Sequence, residues 1–145
     1  MVIARHCPPW VRQTLEDSCW AAVLEAWSLV DPRLPTLMQQ PLIDHLGEGP
    51  TGGITPERKI PPISRAYGLA WAAHRSGEAV GYIRRNLPTS HLFVAYSNGT
   101  FLHSVLVYRL RDNDVSFMDP YDGHYKNRPH SWLEAKGPFV MMRKP

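Results

Sequence analysis

Cys19 is the residue with the clearest capacity for chemistry, and its neighbours say what kind. In Gln13-Thr14-Leu15-Glu16-Asp17-Ser18-Cys19-Trp20-Ala21-Ala22, Asp17 and Ser18 are good N-cap residues, whose side-chain oxygens can accept hydrogen bonds from the free amides of a first helical turn. Trp20, Val23, Leu24 and Trp27 then recur at the spacing of one apolar helical face, and Asp31-Pro32 stops the run. A helix starting there puts the Cys19 thiol among unpaired amides at the positive end of the macrodipole, which favours the reactive thiolate. Gln13, in a loop upstream, is placed to fold its amide back beside the sulfur and to form an oxyanion hole with the Cys19 backbone amide.

A cysteine nucleophile needs a base within hydrogen-bond reach and a third group to orient that base. Among seven histidines, His103 stands out because it opens the apolar run Leu102-His103-Ser104-Val105-Leu106-Val107-Tyr108. Taken alone, that pattern fits a half-buried structural histidine equally well. The next apolar stretch ends in Phe117-Met118-Asp119-Pro120, and a hairpin between the two returns Asp119 toward the rim where the His103 strand begins. Asp119 is therefore a candidate to orient the imidazole. Asp before Pro also commonly just starts a turn, and strand register is not readable from the sequence.

These residues must be positioned by a helical first half and a stranded second half. Residues 1–17 read as an irregular arm, broken by Pro8-Pro9 and anchored by Trp10 and Val11. A helix over 19–30 follows, then a shorter one over 37–46 ended by Gly47, then a glycine-rich loop through Gly52-Gly53. Thr55-Pro56-Glu57 looks like a helix start, with Pro61-Pro62 interrupting it and a restart near Pro62 that ends at Gly68. From there the pattern alternates: strands over 69–73, 92–96, 102–111, 115–118 and 139–142, a helix over 76–86 capped by Ser76, and one helical turn capped by Ser131. Asn98-Gly99, Asp112–Asp114 and Pro120–Gly123 are the expected turns. Helices followed by an antiparallel sheet make an α+β fold, and a length of 145 residues suits a single domain over 1–145.

The constellation resembles the papain-like cysteine proteases. Gln13 through Cys19-Trp20-Ala21-Ala22, then Gly52-Gly53, then His103-Ser104-Val105, then Met118-Asp119-Pro120-Tyr121-Asp122-Gly123 stand in that family's order. The resemblance implies that Cys19 attacks, His103 is its ion-pair partner and general acid, Asp119 orients His103, and Gln13 completes the oxyanion hole. It also implies that Gly52 and Gly53 pair with substrate backbone, that Trp20 lies on the substrate side, and that Tyr121 shields the orienting carboxylate. The chain is shorter than plant and lysosomal members, lacks their disulfide framework, and has Asp rather than Asn as the third residue. It is more similar to the compact bacterial branch, double-glycine peptidases of export systems and secreted effector proteases. That likeness implies cleavage after small residues such as Gly-Gly, and action inside a target cell as a toxin, with a cognate inhibitor or immunity protein as a partner. The same triad serves deamidases and acyl-transfer enzymes, and a catalytically silent peptide-binding module is the alternative outside enzymes.

Composition narrows the rest. Apolar residues are 43% and charged residues 20%, which is globular. A net charge of +3, from arginines scattered along the chain with no basic run, gives no nucleic-acid signature. Cys-x-x-Cys and His-x-x-x-His pairs are missing, so no metal or other cofactor is expected. A buried core cysteine is the bland alternative for Cys19, and Cys7 reads as structural or incidental, with both thiols reduced. No stretch approaches the roughly 20 apolar residues of a membrane span, and the N-terminus has no apolar signal region. The chain is thus expected to be cytoplasmic at synthesis, with any export signal-independent, or to be a segment of a longer polypeptide.

Overall fold

Hydrophobic periodicity changes from helical to alternating near residue 69, and the computed structural model changes with it. It describes residues 1–97, 102–122 and 124–145. The helices are α1 (Cys19–Val30), α2 (Gln39–Leu46), α3 (Pro56–Tyr67), α4 (Ala79–Asn86) and α5 (His130–Glu134). The strands are β1 (Ile3–Ala4), β2 (Ala70–His74), β3 (Leu92–Ser97), β4 (Leu102–Leu110), β5 (Asp114–Asp119), β6 (His124–Pro129) and β7 (Phe139–Arg143). All pairings are antiparallel, in the order β2-β7-β3-β4-β5-β6, with β1 added beside the end of β4.

Successive residues of β3 point into two apolar clusters. Phe93 and Ala95 join α1, α2 and α3, whereas Leu92, Val94 and Tyr96 join α4 and α5. The helix α1 is buried nearly all round, from Cys19 through Leu24 and again at Ala26 and Trp27. A helix apolar on every side belongs inside a protein, and α1 is the one around which the helical half is packed.

Several expectations are corrected. The prolines do not break α3: Pro56 opens the helix, Pro61 and Pro62 lie inside it, and Gly68 ends it in the left-handed region at φ 63°. Burial of Ile60 and Ile63 against the core offsets the two backbone hydrogen bonds those prolines cannot donate. Ser76 does not cap α4, which starts at Ala79 after Glu78. Two strands were not readable. The pair Ile3–Ala4 is too short to show a pattern, and His124–Pro129 has no apolar alternation because it is the exposed last strand of the sheet. The Asn98-Gly99 turn lies outside the described residues, as does Gly123. No helix among the described residues is long and apolar enough to cross a membrane.

Candidate active site

Cys19 is the first residue of α1 and is 3% exposed, its thiol directed at the Leu102 carbonyl oxygen 3.6 Å away, where β4 begins. The sequence expectation that Asp17 and Ser18 cap the helix through their side chains is not met. The Ser18 hydroxyl is taken up by Leu15 and Gln39 instead, and its backbone carbonyl accepts from the Ala21 and Ala22 amides. Oδ2 of Asp17 is buried with no hydrogen-bond partner among the described residues. The first-turn amides at Cys19 therefore remain without a side-chain cap, which keeps the positive end of α1 turned to the thiol.

Gln13 behaves differently from expectation. Its Nε2 donates to the carbonyls of Leu15 at 3.0 Å and Glu16 at 2.6 Å, because the 13–18 loop folds on itself and offers both as acceptors. Its backbone amide donates to the Pro120 carbonyl at 2.9 Å, which ties this loop to the turn after Asp119.

The sheet supplies the imidazole and the carboxylate. Met118 pairs with Leu106, and continuing that register puts Asp119 across from Val105, on the same face as His103. His103 Nε2 lies 2.8 Å from Asp119 Oδ1. This leaves Nδ1 as the nitrogen for the thiol. The Asp119 oxygens are fully used: Oδ1 also accepts from the Tyr121 amide at 3.0 Å, and Oδ2 from Lys126 Nζ at 2.7 Å. Asp119 thus bonds both the His103 imidazole and the amide of the turn that follows it, so its place in a turn does not keep it from the histidine. Lys126, on β6, is held in turn by Asp122 at 3.1 Å. Sequence reading missed Lys126 because nothing in His124–Pro129 announces a strand; its place two residues from His124, on the same face, shows only once that strand is paired with β5.

The electrostatics follow from this geometry. Burial pulls the His103 imidazole down, but the hydrogen bonds to Asp119 and Cys19 and the negative charges of both outweigh it, and its pKa rises to about 9. Burial alone would raise the Asp119 carboxyl; the hydrogen bond and charge of His103, then Lys126 and the Tyr121 amide, bring it down to about 2. His103 is accordingly imidazolium and Asp119 carboxylate at neutral pH. Tyr96 faces His103 edge-on at 5.6 Å, and burial keeps its hydroxyl protonated far above neutrality.

The glycine loop is held against α1 at several points. Trp20, itself buried, donates its indole N–H to the Gly52 carbonyl at 2.8 Å, and the Asp17 amide donates to Thr51. Glu48 closes the loop by accepting from Thr55 and Arg58 and bridging to Gly53. Gly52 is buried at φ +71°, and a Cβ there would stand 2.8 Å from Leu15 Cδ1. Of the glycine pair only Gly53 lines the adjoining pocket, a 740 Å³ cavity walled by Trp20, Ile54, Phe93, Ala95, Leu102 and Val140 among others. Tyr121 does not line this cavity; its ring is edge-on to His103 at 6.5 Å.

No family model and no curated protein sequence matches the chain. Solved structures do. The chain is similar to a double-glycine-motif protease from an AMS/PCAT transporter, solved in complex with the leader peptide, with TM-score 0.69 and 14% identity over 98% of this chain and 95% of that one. It is also similar to the peptidase domain of Streptococcus ComA, a bi-functional ABC transporter of a quorum-sensing pathway, with TM-score 0.68 and 13% identity over 94% of this chain and 98% of that one. The fold is papain-like. In this papain-like fold α1 carries the cysteine and the β4–β5 rim carries the histidine and aspartate, so helix and sheet form the two walls expected from the residue order.

Proposed function

We propose that the protein is a cysteine endopeptidase that cleaves after Gly-Gly, using Cys19, His103 and Asp119. The observation that carries this reading is the imidazole of His103, bonded through Nε2 to a carboxylate and paired on its other side with a thiol at an uncapped helix start. The Cys19 thiolate attacks the substrate carbonyl carbon, and the oxygen's developing charge is met by the Cys19 amide. Gln13 joins it if substrate binding turns its amide away from the Leu15 and Glu16 carbonyls. Collapse of this intermediate breaks the C–N bond as His103 gives its proton to the leaving amine. Water, losing a proton to His103, then hydrolyses the thioester and regenerates the thiolate. Gly53 leaves room for a substrate backbone without side chains, and the pocket beyond it, apolar at Trp20, Ile54, Phe93 and Val140 and charged at Glu57, Arg75 and Glu78, receives the segment that precedes the cleavage point. That the AMS/PCAT protease was solved in complex with a leader peptide supports a peptide as the substrate.

Mass spectrometry of new protein termini, comparing cells that express the wild type with cells that express Cys19→Ala, tests the reading. New N-termini following Gly-Gly are expected only with the wild type. Glutamine-to-glutamate conversion without new termini would assign the triad to deamidation instead. Action inside a target cell, with an inhibitor protein in the producer, has its own test: the wild type in a bacterial cytosol should slow growth and Cys19→Ala should not.

A further inference from the structure

Exposed aromatic rings flank the turn that follows Asp119, on surface that the pocket at Gly53 does not include. Trp10 is 49% exposed and Tyr121 65% exposed. Trp10 stacks on the exposed ring of His124, with centroids 6.5 Å apart and planes within 7°. The arm carrying Trp10 is not loose. The Gln13 amide fastens it to Pro120, and the Tyr125 hydroxyl donates to the Pro8 carbonyl at 2.8 Å. A fixed arm that keeps a stacked indole half in water, against the turn that follows Asp119, is an interaction surface rather than an anchor to the core.

Which half of a substrate would meet it follows from the reaction, and so rests on the peptidase reading above. The acyl half stays bonded to the Cys19 sulfur, whereas the leaving amine takes its proton from His103. The segment after the scissile bond therefore departs past the imidazole, toward Tyr121, Trp10 and His124. We propose that these three rings form a subsite for an aromatic or large apolar side chain within the first two residues after the scissile bond, so that the enzyme selects its substrates on both sides of the cut.

Quenched fluorescent peptides sharing one Gly-Gly acyl half, with Phe, Gly or Asp at the two following positions, test this. For the wild type, kcat/KM is expected to be about tenfold higher with Phe than with Gly or Asp, falling to about twofold in Trp10→Ala and largely restored in Trp10→Phe. Equal rates across the set in the wild type, or an undiminished preference in Trp10→Ala, would overturn the subsite and leave the peptidase reading standing. Should the rings cover a second copy of the chain instead, the wild type would dimerise on size-exclusion chromatography, Trp10→Ala would not, and the peptide preference would be missing. A wild type that cleaves none of the peptides removes the peptidase reading and the subsite with it.

Discussion

Cys19 and His103 face each other from regions built in different ways. The α1 wall is held by burial: Cys19, Trp20, Ala21, Ala22, Val23 and Leu24 are all at most 3% exposed, and no charged side chain caps the helix start. The rim of β4 and β5 is held by charge: His103, Asp119, Lys126 and Asp122 form a continuous line of ion pairs at 2.8, 2.7 and 3.1 Å. The difference matches what the proposed reaction asks of each wall. A nucleophile needs an immovable position and an unsatisfied electrostatic field, which an apolar uncapped helix provides. A base needs a defined tautomer and a tuned pKa, which only hydrogen-bonded charges provide.

The largest break in this comparison is Cys19→Ala, which should reduce peptide cleavage to background while leaving α1 folded, since alanine fits the same buried position. In the same variant the His103 pKa, followed by NMR, should fall from about 9, because the thiolate is one of the groups that raise it. Next is Asp119→Ala, for which kcat should drop by about 10²–10⁴-fold. The alkaline limb of its pH–rate profile should move from near 9 toward the ordinary imidazole range, because the wild-type limb is loss of the His103 proton. Equal loss of turnover and of thermal stability would instead assign Asp119 to the turn alone.

The same shifts set the stability of the charged rim. His103 has a raised pKa, so its contribution is full below about 6.5 and is lost as the pH rises through about 9. Asp119 has a lowered one, so its contribution is present above about 3.8 and is lost as the pH falls through about 2. Thermal melts of wild type and Asp119→Ala across pH should converge at the acid end and diverge between.

A smaller effect is expected of Lys126→Met. Asp119 stays ionised at neutral pH without the lysine, so the alkaline limb should not fall, yet kcat should drop about tenfold as the carboxylate loses one of the bonds that fix its rotation. Lys126→Arg should recover most of it, and a limb that shifts down as in Asp119→Ala would show that Lys126 acts through the charge state rather than position. The smallest effect on turnover, and a test of the burial side, is Gly52→Ala. Its φ of +71° and the Leu15 contact should cost about 1–2 kcal/mol of stability in denaturant unfolding, with the pH profile unchanged.

The two walls also differ in how far they could be read from the sequence. The helical wall was legible almost to the residue: the apolar spacing after Ser18 and the Asp31-Pro32 stop mark α1 as Cys19–Val30. Local patterns suffice there because a helix makes its hydrogen bonds and its faces within one segment. Apart from the prolines that α3 accommodates, what was misread in that half was side-chain traffic, as with Ser18 and Gln13, whose partners at Leu15, Glu16 and Gln39 depend on how a loop folds over itself. The sheet rim was legible as strands and as candidate residues but not as contacts. That Asp119 reaches His103 depends on a β-bulge between Val107 and Arg109 and on pairing across a hairpin, both decided by packing between distant segments.

The sequence by itself therefore determined the place of Cys19 at a helix start, the helices-then-sheet order and the short list of groups able to serve its thiol, because these are carried by local spacing and residue chemistry. Only the tertiary structure decided that Asp119 is shared among His103, Tyr121 and Lys126, that Gly53 rather than Gly52 faces the pocket, and that Trp10 is stacked half-exposed on His124 instead of buried. Each of those depends on which surfaces meet when the sheet rim closes on α1, and side-chain contacts across such a boundary have no period or motif along the chain.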